Sequence, residues 1–112
     1  METKRQHKIA RLLQKELAEI VQTEGRSFAA SGLVTVTAVE VSKDFSFARI
    51  YLSVFGVNDK QGVVKGWNDN KKDLRFKLGQ RIKNQLRIVP EIHFVLDETL
   101  DYIENIDNLL KQ

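Results

Sequence analysis

The chain of 112 residues has no cysteine and one proline, and no apolar run long enough to cross a bilayer. Without cysteine there is no disulfide framework, no thiolate zinc site and no cysteine nucleophile. A membrane-spanning helix needs about 18 or more apolar residues. The N-terminus, METKRQHKIARLLQ, is basic but lacks the continuous apolar stretch of a signal peptide. A soluble cytoplasmic protein with no membrane association is the default expectation. Histidines are also scarce. His7 and His93 lie far apart in the sequence, so a metal site is not expected and no cofactor is called for. No G-x-x-x-x-G-K-[ST] loop exists, and the run from Gly62 to Gly66 is too weak to cradle a phosphate. Asp97 and Glu98 are adjacent carboxylates, but helix capping accounts for Asp97 without acid–base chemistry. An enzyme is not expected.

What is present is cationic and unevenly placed. Residues 1–87 carry 17 Lys/Arg against 9 Asp/Glu, and residues 88–112 carry 1 against 6. The overall net charge of +3 therefore conceals a basic body and an acidic end. Such asymmetry suits a polyanionic partner, although lysines can equally serve solubility.

One domain over residues 1–112 is the natural reading of this length. Ile9, Leu12, Leu13, Leu17, Ile20 and Val21 recur at helical spacing and predict a first helix over about 4–24, ending near Gly25. Lys4, Arg5, Lys8, Arg11 and Lys15 lie off that stripe, in the helix's first half. Cations there oppose the helix dipole, by roughly 0.3–1 kcal/mol each when exposed. Stability does not explain them, whereas phosphate contacts would. Residues 25–32 read as a loop anchored by Phe28. Residues 33–56 read as a hairpin turning at Ser42-Lys43-Asp44. Its first strand slips phase at Ala38–Val39, as a bulge would make it do. In the second strand Ala48, Ile50, Leu52 and Val54 should face helices, leaving Arg49 and Tyr51 side by side on the open face.

Residues 56–66 hold three of the six glycines and read as a connection with at most a helical turn. A long helix is expected from Trp67, burying Trp67, Leu74, Leu78, Ile82 and marginally Leu86. Gly79 inside it marks close packing or a kink. Lys72, Phe76, Gln80, Lys83 and Arg87 align on the opposite side. A ring within a basic stripe could stack RNA bases; packing of Phe76 under a neighbouring loop is the reading favoured here. Pro90 makes Val89 the expected helix boundary. Ile92, Phe94 and Leu96 then alternate as a strand, and Asp97 or Thr99 can cap a closing helix built on Leu100, Ile103, Ile106, Leu109 and Leu110. The pattern predicts an α+β fold, a small sheet with helices packed on one face.

Three stretches in this order resemble the ribosome-binding factor A family: KIARLLQKELAEIV at 8–21, the hairpin at 33–56, and LRIVPEIHFVLDETL at 86–100. IENIDNLL at 103–110 resembles the closing helix of that family. The resemblance implies a KH-like (type II) domain with a three-stranded sheet. It also implies a bacterial assembly factor that binds immature small ribosomal subunits through 16S rRNA and assists late maturation and processing of the rRNA precursor, especially in the cold. The alanine-any-glycine kink usual in the family is expected, counting back from Pro90 without gaps, at Lys72-Asp73-Leu74. No small residue stands there, so the helix is expected to run through or bend elsewhere, as at Gly79. The candidate RNA contacts are Lys4, Arg5, Lys8, Arg11, Lys15, Arg49, Lys72, Arg75, Lys83 and Arg87. A monomer is expected. The alternatives are a generic KH-like single-stranded RNA-binding protein with no ribosomal role, and a protein-interaction module that meets an assembly GTPase through the open sheet face or the acidic end.

Overall fold

The computed structural model describes residues 3–28 and 33–98, with 25–28 described by backbone alone. The expected anchor at Phe28 and the closing helix over residues 100–110 lie outside what is described.

The first helix, α1 (Lys4–Phe28), is longer than expected because Gly25 continues the helix instead of ending it. Its start is fixed by a reciprocal cap. Gln6 N–H donates to Thr3 Oγ1 at 3.1 Å, and Thr3 N–H donates to Gln6 Oε1 at 2.9 Å. This Ser/Thr-x-x-Glu/Gln arrangement satisfies two backbone donors that no helical carbonyl can reach. Gln6 is also buried and donates from Nε2 to the Val41 carbonyl at 3.0 Å, tying the helix start to the end of the first strand.

Strands β1 (Leu33–Val41) and β2 (Phe47–Phe55) pair antiparallel, and β2 pairs parallel with β3 (Glu91–Leu96), giving the order β1-β2-β3. The register shifts between Val36 and Ala38, placing the extra residue at Thr37. The bulge keeps both apolar phases buried: Val34 before it, Val39 and Val41 after it. Ala48, Ile50, Leu52 and Val54 of β2, with Ile92 and Phe94 of β3, meet Leu13, Leu17 and Ile20 of α1 in one core, as their alternation requires.

Between β2 and β3 the chain departs from the expected single helix. Residues 60–69 are not a connection but α2 (Lys60–Asp69), and α3 (Lys71–Ile82) follows after a break at Asn70. Asp59 caps α2 by accepting from Gly62 N–H at 3.0 Å. A Cβ at Gly62 would stand 2.2 Å from an Asp59 carboxylate oxygen, so a larger residue there would make that side chain turn. Val64 and Trp67, three residues apart, supply the buried side of α2. At the break, Asn70 N–H donates to the Trp67 carbonyl and its side-chain Nδ2 to the Gly66 carbonyl at 2.8 Å. The bend thus lies two residues before Lys72 and well away from Gly79.

Nor does α3 reach Val89. It ends at Ile82, where Gln85 and Leu86 N–H both turn back onto the Ile82 carbonyl. Residues 83–89 double back along α3 and bring Val89 against Gly79, where a Cβ would meet Val89 Cγ2 at 3.1 Å. Gly79 is therefore a close-approach glycine inside a continuing helix. The element order α-β-β-α-α-β, with every helix on one face of a three-stranded mixed sheet, is that of a type II KH-like domain.

Candidate nucleic-acid interface

In α1, Lys4, Lys8, Arg11 and Lys15 recur every three or four residues and are all exposed, opposite buried Ile9, Leu13 and Leu17. Arg5 lies beside this row, its guanidinium 5.3 Å from the centre of the Phe45 ring. Phe45 belongs to the hairpin turn, where it adopts φ 61°, and Asp44 holds the turn by accepting from Ser42 Oγ, Ser46 N–H and Ser46 Oγ. These hydrogen bonds, the two Ser46 contacts and that from Ser42, hold the Asp44 carboxyl at about 2, below its ordinary 3.8. The Gln6 tether and the Arg5–Phe45 contact place the cationic end of α1 at this turn.

Two shallow depressions occupy that end. One is lined by Lys4, His7, Lys8 and Arg11, the other by Arg5, Lys8, Ile9, Leu12, Gln85 and Leu86. The second joins α1 to the segment leaving α3. On α3 itself a groove lies between Lys72, Arg75, Phe76, Gln80, Lys83 and the returning Val89. A further depression at the α2–α3 break shares Lys72 and Arg75 and adds Lys71, Phe47 and Glu91. The two depressions at the start of α1 thus share Lys8, and the two on α3 share Lys72 and Arg75, giving one basic surface on each helix, with the segment after α3 reaching α1 through Gln85 and Leu86. Among the described residues, Lys4, Lys8, Arg11, Lys15, Lys72, Lys83 and Arg87 make no ion pair.

The remaining cations of α3 have another use. Lys77 binds Glu24 at 2.7 Å and Asp73 at 3.1 Å, while Arg81 binds Glu16 at 3.1 Å and Glu19 at 2.5 Å. These carboxylates raise the pKa of both cations, Glu24 acting most on Lys77 and Glu16 most on Arg81. The acidic second half of α1 is thus spent on the inner edge of α3, leaving the outer edge basic.

Two predicted contacts are placed differently from the rest. Arg75 donates from Nε to the Pro90 carbonyl at 3.1 Å and from Nη2 to the Val89 carbonyl at 2.6 Å, so it latches the returning chain while lining the groove. Arg49 lies on the sheet face away from the helices. It pairs with Glu40 at 3.7 Å and reaches Tyr51 Oη at 3.5 Å, while Tyr51 donates to Glu40. Phe76 does not pack under a loop as favoured; its side chain is 65% exposed in the centre of the α3 groove.

Among the described residues no group of three or more His, Cys, Asp or Glu could hold a metal ion, and no helix is long and apolar enough to cross a membrane. Sequence reasoning missed the capping pair Thr3 and Gln6, whose spacing was visible, and the turn network of Ser42, Asp44 and Ser46, which depends on the left-handed Phe45.

Comparison with known proteins agrees with this architecture. The crystal structure of ribosome-binding factor A from Thermus thermophilus matches with a TM-score of 0.69 at 25% identity, covering 81% of this chain and 94% of that one. A homology model of the T. thermophilus factor, fitted into the cryo-EM map of its complex with 30S, matches with a TM-score of 0.63 at 27% identity, covering 79% and 90%. A Cytophaga hutchinsonii protein named ribosome-binding factor A is 41% identical over 112 residues, which is all of this chain and 84% of that protein. The family profile described as Ribosome-binding factor A matches residues 5–110. On these grounds the chain belongs to the ribosome-binding factor A family.

Proposed function

We propose that this protein binds immature small ribosomal subunits through 16S rRNA and assists late maturation and processing of the rRNA precursor, with its greatest effect in the cold. The carrying observation is the separation of charge on the helical side. Glutamates of α1 neutralise Lys77 and Arg81, while Lys4, Lys8, Arg11, Lys72 and Lys83 keep their charge for an outside partner. A relative seen in a 30S complex supports the same partner. Each phosphate neutralised releases counterions, so affinity should fall steeply with salt. The protein would act by binding one rRNA arrangement better than another, because equal affinity for both would shift nothing. Need in the cold follows if misfolded RNA helices escape more slowly there.

The test is sedimentation of lysate through sucrose gradients at low and at raised salt. Co-migration with free small subunits, lost as salt rises and lost in a Lys8→Glu/Lys72→Glu variant that melts normally, is the expected result. A protein that stays at the top of the gradient yet binds isolated RNA would instead be a generic single-strand binder.

A further inference from the structure

Phe76 has no role in the fold that explains its place. Trp67 and Phe94 bury their rings almost completely, whereas Phe76 leaves 65% of its surface in water on a helix whose core side is already filled by Leu74, Leu78 and Ile82. Its surroundings are chemically one-sided. Lys72 lies one turn before it, Gln80 one turn after, and Lys83 at the helix end. Arg75 and Val89 complete the groove, and no carboxylate lines it. Gly79, three positions on, contributes no side chain, and Val89 packs against it as the groove's wall. The groove has a volume of about 490 Å³, within the roughly 300–1,000 Å³ typical of small-molecule clefts.

We propose that Phe76 is a stacking platform for one unpaired base of single-stranded RNA, with Lys72 and Lys83 binding the phosphates on either side. This rests on the reading that the basic helical side meets RNA, and it names the form of RNA that this groove accepts. A base stacked on the ring covers the apolar surface that the fold leaves exposed. The two lysines are eleven residues apart, about 16 Å along the helix axis, so they flank the ring from both directions. Gln80 offers an amide donor and acceptor to the base edge. A paired base cannot use the ring, because its faces are already stacked within the duplex. A protein occupant is disfavoured by a rim bearing only positive charge.

The test uses the full chain carrying Phe76→Trp. Trp67 is fully buried, so it reports little, and the new indole supplies the signal. A short single-stranded oligoadenylate should quench that fluorescence, and an RNA hairpin stem of equal charge should not. Phe76→Leu keeps apolar bulk without an aromatic face. It should weaken oligoadenylate binding on the order of 10-fold with an unchanged melting temperature. Equal quenching by both RNAs, or wild-type affinity in Phe76→Leu, would overturn the proposal. If Lys72→Glu/Lys83→Glu then still abolishes binding, stacking is wrong and the RNA-facing reading survives. If the charge-reversed variant also binds isolated small subunits like the wild type, both fail.

Discussion

Asn68 of α2 and Phe94 of β3 exchange two hydrogen bonds: Asn68 Nδ2 donates to the Phe94 carbonyl at 2.9 Å, and Phe94 N–H donates to Asn68 Oδ1 at 2.8 Å. Among the described residues Phe94 lies on a strand at the edge of the sheet, where its outward backbone groups have no neighbouring strand. The side-chain amide takes the place of one. It blunts an edge that could otherwise pair with another chain, and it fixes the end of α2 just before the Asn70 break.

Asn68→Ala should therefore destabilise the domain by about 1–3 kcal/mol, the usual cost of leaving part-buried backbone groups without partners. Asn68→Asp should not rescue it, because a carboxylate oxygen would face the Phe94 carbonyl. Urea denaturation measures the loss, and faster hydrogen exchange at the Phe94 amide locates it. An unchanged midpoint for Asn68→Ala would show that water replaces the amide at no cost.

Gly79 is poised between two opposing effects. Alanine there gains about 1 kcal/mol of helix propensity, but its Cβ would press on Val89 Cγ2 at 3.1 Å. Gly79→Ala should come out close to neutral. Gly79→Leu must displace Val89, at a cost of roughly 1–3 kcal/mol, and it also occupies the space beside Phe76. It should lose both stability and RNA affinity, and thermal melts run alongside RNA titrations would show whether the two fall together.

Lys72 and Arg75 line the same groove but should separate on mutation. Arg75 bonds the Val89 and Pro90 carbonyls, so Arg75→Ala should lower stability by about 1 kcal/mol as well as weaken RNA binding. Arg75→Lys keeps the charge but cannot reproduce the fork, and should recover binding better than stability. Lys72→Ala should leave the melt unchanged and flatten the dependence of log affinity on log salt by about one phosphate's share, roughly 0.7 for a single strand. Equal melting temperatures for Lys72→Ala and Arg75→Ala would remove the latch role.

Much of the fold was readable because its signals are periodic. The stripe on α1, the alternation in β2 and the strand after Pro90 each repeat often enough to identify an element and its buried side. What escaped depends on single side chains acting across the sequence. Three glycines disguised α2, although one of them, Gly62, donates the backbone N–H that Asp59 caps. The break at Asn70 rests on that side chain reaching the Gly66 carbonyl, which no periodicity signals. Leu86 stayed in helical phase while the chain had already turned back at Ile82. At the site, the cationic row of α1 was legible as a row. That Lys77 and Arg81 are neutralised from α1 was not, because Glu24, Glu16 and Glu19 lie on another helix more than fifty residues away.

The hairpin turn should carry an acid-sensitive contribution to stability. Asp44 accepts from Ser42 and Ser46, which lowers its carboxyl from 3.8 to about 2 in the folded protein. A depressed carboxylate stabilises the fold above its unfolded value, and that stability is lost as pH falls through the folded one. The window therefore runs from just above 3.8 down to about 2. The stability difference between wild type and Asp44→Asn should be constant from neutral pH to the top of this window and shrink within it. The turn also seats Phe45 under Arg5, so the Arg5–Phe45 contact should loosen over the same range. Following the Asp44 carboxyl carbon by NMR during an acid titration gives the answer directly. A midpoint near 3.8 would mean that the serine network is not formed in solution, and that the turn holds Phe45 in its left-handed conformation by other means.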